Sequence, residues 1–232
     1  MKSRYFLIFS VVTAILVTLI GIFTENFWVR RSGEIIFILP LAGYYLKNLP
    51  LRNINFVAFF VCILLAAGFS FFWELWYIKL GVLGLWLGSY IFLVREAIKH
   101  TEYAKGSRFT TLYFLIVVGV YIYLLFLHMV EIERNLTDDF SFGFYIIYYL
   151  NILFFAICAL VYYLNSFSRK SVFFICLTLS FIFADVLRDM EVFYFPDLSV
   201  EVVGTLIRFA AIKLAFLFFV TPEKKLRLLH LV

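Results

Sequence analysis

The sequence predicts an all-α fold, a polytopic bundle of eight transmembrane helices that forms a single domain over residues 1–232. Of the 232 residues, 65% are hydrophobic and 22% are aromatic, whereas only 15% are charged, and the mean hydropathy is +1.01. A soluble domain of this length cannot bury so much apolar surface, whereas a bundle with a lipid-facing exterior does not need to. The polar stretches between the apolar runs are too short to build a second, soluble domain.

Each predicted helix is an apolar run between polar or charged residues, and a hydrocarbon core of about 30 Å needs roughly 20 such residues. The first run follows Lys2 and Arg4 and is long enough to span, so we interpret it as a retained helix and not as a cleaved signal peptide. The second is short and contains Pro40, which a bundle tolerates where neighbouring helices satisfy the freed carbonyl. Without this segment the count is seven spans, which is the alternative. The predicted spans are approximately 5–24, 33–47, 54–73, 77–97, 110–130, 142–165, 171–188 and 199–220.

The basic residues predict the orientation, because cytoplasmic loops of membrane proteins collect Lys and Arg. With eight spans, thirteen basic residues fall on the side of the N-terminus and five on the opposite side. The thirteen are Lys2, Arg4, Lys47, Arg52, Arg95, Lys99, Lys105, Arg108, Arg169, Lys170, Lys224, Lys225 and Arg227, and the five are Arg30, Arg31, Lys79, Arg134 and Arg188. We therefore expect an integral protein of a bacterial plasma membrane with both termini cytoplasmic. The net charge of +5 is explained by this topology and does not indicate nucleic-acid binding.

Two residues of opposite charge, Asp185 and Arg208, fall within the last two predicted helices. A charge at membrane depth is costly and usually faces a partner or a water-filled cavity, so this pair marks the candidate site. Lys213 lies further along the last helix, rotated by roughly 140° from Arg208, and can border the same cavity from another direction. The alternative is that Asp185 and Arg208 form only a structural ion pair that fixes the packing of the two helices.

Other ionisable residues fall in the same outer half of the predicted bundle, which indicates a polar pocket that opens toward the outer leaflet. They are Glu34, Glu74 and His128, and Ser70 precedes Glu74 by one helical turn on the same face. The inner half is predicted to hold almost no ionisable group apart from Lys213 and the helix ends.

Further polar residues receive simpler interpretations at this stage. Arg188, the last residue of the seventh predicted span, and Asp189, which follows it, are placed on the outer side, and the tyrosines Tyr145, Tyr148 and Tyr149 are interpreted as lipid-facing or packing residues. No metal site and no cofactor are predicted, because the three histidines are scattered and the three cysteines lack the spacing of metal ligands.

Four short stretches carry a resemblance to a known family. They are Pro40 in the second predicted helix, Phe69-Ser70-Phe71-Phe72-Trp73-Glu74 in the third, Gly81 followed by Ser89 and Phe92 in the fourth, and Ala184-Asp185 in the seventh. Together with the segment order, they resemble the lysoplasmalogenase-like family, also called YhhN, of eight-helix membrane proteins. That family carries Lys-Pro, Phe-Ser-x-x-Gly-Asp, a Gly/Phe/His/Tyr pattern and Ser-Asp at these places. Here Leu39 replaces the lysine, Trp73-Glu74 replaces Gly-Asp, and Ser89 stands near the expected histidine.

The resemblance implies hydrolysis of the vinyl-ether bond of a lysolipid, which requires an acid that protonates the double bond and a base that orients water. Glu74 would be the acid and Asp185, beside Arg208, would be the base. Ser70, Ser89, Arg208 and Lys213 would support the substrate. The alternative is a non-catalytic membrane protein of the same fold that binds a lipid or a protein partner. The expected partner is a membrane lipid, and the sequence leaves a homodimer open.

Overall fold

The structure is a computed structural model that describes residues 2–48, 53–72, 75–101, 108–136, 138–166, 168–193 and 196–224. In this part of the chain it is an all-α bundle, as the composition predicts, with eight α-helices and one 3₁₀ turn. The helices are α1 (Lys2–Phe23), α2 (Phe27–Asn48), α3 (Ile54–Phe69), α4 (Trp76–Ile98), α5 (Arg108–Asn135), α6 (Asp139–Ser166), α7 (Arg169–Phe193) and α8 (Leu198–Val220); the 3₁₀ turn Ser70–Phe72 follows α3.

Short connections join consecutive helices, so that neighbours in the chain run antiparallel. The bundle therefore has two ends. We call the end where α1 meets α2, α3 meets α4, α5 meets α6 and α7 meets α8 the hairpin end. The opposite end, where α1 begins and α8 ends, is the terminal end.

Six of the described helices are long and apolar enough to cross a membrane: the stretches Ile54–Phe72, Trp76–Ile98, Leu112–Asn135, Asp139–Ser166, Arg169–Phe193 and Leu198–Val220. α1 adds the shorter apolar stretch Phe9–Phe23. α2 does not meet the same criterion, because Arg30, Arg31 and Glu34 lie in its first two turns. These are the properties of a multi-pass membrane protein, and the crossing of α1 and α2 stays a prediction.

The centre of the bundle is packed with aromatic side chains. α7 packs against α8, and α4 packs against α3 and α6. α2 packs against α1 and also contacts α3 and α8. Tyr90 on α4 stacks on Phe155 on α6, with ring centroids 5.1 Å apart, and Phe60 on α3 lies 4.2 Å from Phe216 on α8. Such rings fill the space between the helices and bury large apolar areas.

Several helices extend beyond their predicted ends, and the extensions of α2 and α7 at the hairpin end carry charged residues of the bundle. α2 begins at Phe27 and not at residue 33, and α7 ends at Phe193 and not at residue 188. Sequence reasoning ends a span where charges begin, but here the charged side chains pair inside the bundle, so the helices continue. Asp189 is therefore a helical residue, which corrects its place beyond the predicted span, and Arg188 lies within the helix and not at its end.

The turn between α1 and α2 holds the two helices close together. A β-carbon at Gly21 would overlap the backbone of Arg30, and one at Gly33 would overlap the side chain of Thr18. Glu25, in the turn, has a φ of 54°, a left-handed conformation that costs a residue with a β-carbon roughly 1–2 kcal/mol. The close approach of the two helices sets this turn, and it places the carboxylate of Glu25 at the hairpin end.

A second group of polar residues is buried at the terminal end, at the helix ends that the prediction set apart from the otherwise uncharged inner half. Glu96 is only 4% exposed, and its carboxylate accepts hydrogen bonds from Asn55 at 2.8 Å and from Asn53 at 3.2 Å. The ammonium of Lys170, which is 3% exposed, lies 3.7 Å from the same carboxylate. This cluster joins the start of α3 and α7 to the end of α4.

Candidate functional site

A cavity of about 250 Å³ lies at the hairpin end between α2, α3, α4, α7 and α8. Its charged lining residues are Arg30, Arg31, Glu34, Arg188, Glu191, Glu201 and Arg208. Its apolar wall includes Trp86 and Phe209, and the guanidinium of Arg208 lies 5.4 Å from the centre of the Trp86 ring. We call this the arginine cavity, because four guanidinium groups surround it.

Asp185 lies behind the arginine cavity and is 2% exposed. Its Oδ2 accepts hydrogen bonds from the hydroxyls of Tyr90 on α4, at 2.6 Å, and Tyr148 on α6, at 2.7 Å. Its Oδ1 faces Nη1 of Arg188 at 3.1 Å and Nη2 of Arg208 at 3.4 Å. All four neighbours are donors, and together they use the acceptor capacity of the two oxygens of a carboxylate.

Asp189 repeats this arrangement one helical turn later on the same face of α7. Nε of Arg188 donates to its Oδ1 at 2.9 Å, and the hydroxyl of Tyr149 donates to its Oδ2. Because that phenol hydrogen points at Asp189, Nε2 of His128 donates to the phenol oxygen, 2.8 Å away. The result is a hydrogen-bonded chain from the arginine cavity through Arg188, Asp189 and Tyr149 to His128 on α5.

The arginines on α2 are paired differently from those on α7 and α8. Arg30 forms ion pairs with Glu191, at 3.1 Å, and with Glu201, and Arg31 lies 3.4 Å from Glu34. These carboxylates line the same cavity and are 15–22% exposed, so the pairs are accessible from it. The charged side chains of these ion pairs can therefore exchange their present partners for a ligand.

A second cavity, of about 470 Å³, lies nearer the connections of the hairpin end and shares Arg30, Glu191 and Glu201 with the arginine cavity. We call it the acidic vestibule. Its ionisable lining residues are Glu25, Arg30, Glu191, Asp197 and Glu201, which are four acids and one base. The arginine cavity has four bases and three acids, so the sign of the net charge changes between the acidic vestibule and the arginine cavity.

The structure separates the residues that the sequence nominated. Arg208, Ser70 and Glu34 line the arginine cavity, although the Ser70 hydroxyl donates to the carbonyl of Ala67 at 2.7 Å. Ser89 is fully buried and its hydroxyl donates to the carbonyl of Trp86, so it holds its own helix. Lys213 is exposed on α8 and lines neither the arginine cavity nor the acidic vestibule.

Glu74, the predicted acid, lies outside the described residues. Its role therefore stays a prediction.

Sequence reasoning missed the residues that complete the network. Asp185, Arg188 and Asp189 have the spacing i, i+3 and i+4, which places them on one helix face and was a signal available in the sequence. Tyr148 and Tyr149 pack in the buried core, which agrees with the packing interpretation and not with the lipid-facing one, and their hydroxyls are also hydrogen-bond donors, which that interpretation did not include. Nothing in the sequence distinguishes them from the many other tyrosines of the chain.

The described residues contain no group of three or more His, Cys, Asp or Glu that could hold a metal ion. Comparisons with protein-family models, with curated proteins and with solved structures found no match.

Proposed function

We propose that the protein is a multi-pass membrane protein that binds a lysolipid with a zwitterionic phosphate headgroup at the hairpin end. The observation that carries this proposal is the change of charge from the acidic vestibule to the arginine cavity. A phosphate attached to an ethanolamine or choline group carries one negative charge followed by one positive charge. This order matches the basic arginine cavity and the acidic vestibule next to it.

The phosphate would bind in the arginine cavity. A guanidinium group donates two parallel hydrogen bonds to phosphate oxygens, and such bonds are shorter and stronger than those between neutral groups. Nη2 of Arg188 is buried and has no hydrogen-bond partner among the described residues, and Arg188 lines this cavity. An anion in the cavity would satisfy this donor, whose burial without a partner is otherwise costly.

The ammonium end would lie in the acidic vestibule. Glu25 and Asp197 are exposed there, on the connections at the hairpin end. Glu191 and Glu201 lie between the acidic vestibule and the arginine cavity. Four carboxylates around one arginine favour a cation. An anionic headgroup without an ammonium would meet the carboxylates of the acidic vestibule, and these would not stabilise its binding.

Binding without catalysis is the function we favour, because Asp185 already accepts from four donors. A general base needs an acceptor site for the proton of water, and each oxygen of Asp185 is occupied by two protein groups. We therefore assign Asp185 to holding Arg188 and Arg208 in position.

Hydrolysis of a lysolipid vinyl ether is the second candidate. In its favour, Ser70 and Ala184, which belong to the motifs of the resemblance, line one cavity with Arg208. Aldehyde released from a lysoplasmalogen by purified protein, and lost in both Glu74→Gln and Asp185→Asn, would support hydrolysis. Undiminished lipid binding without aldehyde would support binding alone.

The experiment that tests headgroup binding compares three single-chain ligands on protein in lipid nanodiscs. Lysophosphatidylethanolamine offers both charges, lysophosphatidate offers the phosphate alone, and hexadecyltrimethylammonium offers the cation alone. We expect the first to bind most tightly. Arg31→Gln should weaken both phosphate ligands by about tenfold, since one hydrogen bond to a charged group contributes roughly 1.5–3 kcal/mol and 1.4 kcal/mol is tenfold in affinity.

Glu25→Gln should weaken the zwitterion and leave lysophosphatidate unchanged. Glu131→Gln and Arg134→Gln are the matched controls, because these residues form an exposed ion pair on α5 and line none of the described cavities. Equal affinity for lysophosphatidate and the zwitterion, together with no effect of Glu25→Gln, would refute the role of the vestibule. An Arg31→Gln variant that binds like the controls would remove the arginine cavity as the site.

We also propose the orientation that the basic residues predict, with both termini in the cytoplasm of a bacterial cell and the hairpin end facing outward. The hairpin end would then open toward the outer leaflet. Reporter domains fused to the C-terminus should be active only when they are of the cytoplasmic type, and a C-terminal reporter active on the outside would overturn this orientation.

A further inference from the structure

A third cavity, of about 450 Å³, lies between α5, α6 and α7 and shares no lining residue with the arginine cavity or the vestibule. We call it the lateral cavity. Its size lies within the roughly 300–1,000 Å³ of small-molecule sites. Most of its lining is aliphatic, and the described residues that line it include no Asp, Glu, Lys or Arg.

The lateral cavity exists because α5 packs closely on the bundle only near its end. Ile132 is fully buried and His128 is bonded to Tyr149, both near the hairpin end of α5. Toward the terminal end, residues 112–127 of α5 include no buried one. The two helices beneath are therefore not covered there, and a space remains along the inner face of α5.

The polar groups of the lateral cavity lie on one face of α5. Tyr121 and His128 both line it and are two helical turns apart, and Tyr149 lies opposite on α6. The hydroxyl of Tyr121 makes no hydrogen bond with a described residue. A phenol at neutral pH is a donor, so it offers a hydrogen bond to an oxygen of a ligand.

The surroundings of these groups favour an uncharged ligand. Behind Tyr149, the carboxylates of Asp185 and Asp189 are matched by the guanidinium groups of Arg188 and Arg208, so no net charge faces the cavity. A carboxylate or ammonium in an aliphatic lining without a counter-charge would be costly. An alcohol or carbonyl oxygen would not incur this cost.

The length of the lateral cavity matches one hydrocarbon chain. It extends along α5 from Val117 to His128, which at 1.5 Å per residue is about 16 Å. This is about half of the roughly 30 Å hydrocarbon core, and the cavity runs parallel to the helices. A chain in it would lie as the tail of a lipid in one leaflet does.

We propose that the lateral cavity is a binding site for a single-chain lipid that ends in an uncharged oxygen, such as a long-chain alcohol, whose oxygen accepts a hydrogen bond from the hydroxyl of Tyr121. This proposal does not depend on the headgroup site at the hairpin end, since the two cavities have different linings and different ligand chemistry.

The test uses a hexadecanol that carries a diazirine and an alkyne, photolysed with the full-length protein in nanodiscs, and peptide mapping of the labelled residues. We expect labels on the cavity faces of α5 and α7, and competition by hexadecanol at least tenfold better than by palmitate or hexadecane. Labels spread over the lipid-facing exterior, or equal competition by the three compounds, would overturn the proposal.

Two valine substitutions form a matched pair for the same experiment. Val118 lines the lateral cavity, whereas Val120 is 55% exposed and does not. Val118→Phe should abolish the competed labelling and Val120→Phe should leave it unchanged. Tyr121→Phe should reduce the advantage of hexadecanol over hexadecane by about three- to tenfold, the contribution of one hydrogen bond. Retained labelling in Val118→Phe, or an unchanged preference in Tyr121→Phe, would each refute this binding geometry.

Discussion

Replacing Asp185 by Asn tests the central network directly, because the two side chains have nearly the same shape. The amide can present its oxygen to Arg188 and Arg208 and its nitrogen to Tyr90 and Tyr148, whose hydroxyls can rotate to accept. The hydrogen bonds are then largely retained and the negative charge is lost. Removing one partner of a buried ion pair costs about 3–5 kcal/mol, because the other charge is left uncompensated.

The structure indicates the lower part of that range. Arg188 keeps its 2.9 Å bond to Asp189, so only Arg208 loses its carboxylate, at the longer distance of 3.4 Å. We expect the free energy of unfolding to fall by about 3 kcal/mol. The measurement is reversible unfolding in mixed micelles with an increasing fraction of SDS, followed by helical circular dichroism and tryptophan fluorescence.

Two further variants make this result interpretable. Glu131→Gln removes a carboxylate from an ion pair that is 46–69% exposed, and should change stability by less than about 1 kcal/mol. In the double variant Asp185→Asn/Arg208→Gln, the uncompensated charge is also removed, so the loss should be smaller than the sum of the single losses by about 0.5–3 kcal/mol. A single Asp185→Asn variant as stable as Glu131→Gln, or strictly additive losses, would refute the reasoning.

Three other predictions follow from contacts elsewhere in the bundle. Asn55→Leu should lower the free energy of unfolding by about 1–3 kcal/mol in the same assay, because it removes a 2.8 Å hydrogen bond to the buried carboxylate of Glu96. Gly21→Ala should lower it by about 1–3 kcal/mol because the added carbon meets the backbone of α2, whereas Gly43→Ala, in open space, should be neutral or stabilising. Hydrogen bonds from the hydroxyl and backbone N–H of Ser199 lower the pKa of Asp197. The ionised cap therefore stabilises the fold above the ordinary pKa of about 3.9, and this stabilisation is lost as pH falls through the lowered pKa. The melting temperature of Asp197→Ala should be below that of wild type at pH 7 and equal to it in acid.

The fold could be predicted from the sequence because its signals are local. Apolar runs of membrane length and short charged connections give the helices, and they give antiparallel neighbours without knowledge of any tertiary contact. The errors in the predicted helix ends concern charged residues that lie inside the bundle. Arg30, Arg31 and Asp189 were placed outside the predicted spans, and Arg188 at the end of one, because charge usually marks the membrane surface, whereas here each has an oppositely charged neighbour within the bundle.

The site could be predicted only in part for a related reason. Asp185 and Arg208 stand out because each is a charge inside an apolar run, and they do meet, at 3.4 Å. The tyrosines that donate to the two aspartates do not stand out, since a tyrosine at a helix face can point to lipid, to the headgroups or to a carboxylate. Which of these it does depends on the rotation of α4 and α6 about their axes, and that rotation is set by packing across the whole bundle.

One consequence of this rotation is that a single row of residues on α7 serves both sides of the molecule. Asp185 and Asp189 hold Arg188 from its two sides, so the unpartnered Nη2 of Arg188 is left for the arginine cavity. The same Asp189 accepts from Tyr149 and thereby sets the direction of the Tyr149 and His128 side chains that form the polar part of the lateral cavity. The carboxylates are thus more simply explained as groups that orient donors toward the two proposed ligand sites than as reacting groups, since neither of them lines a described cavity and both are 2% exposed or less.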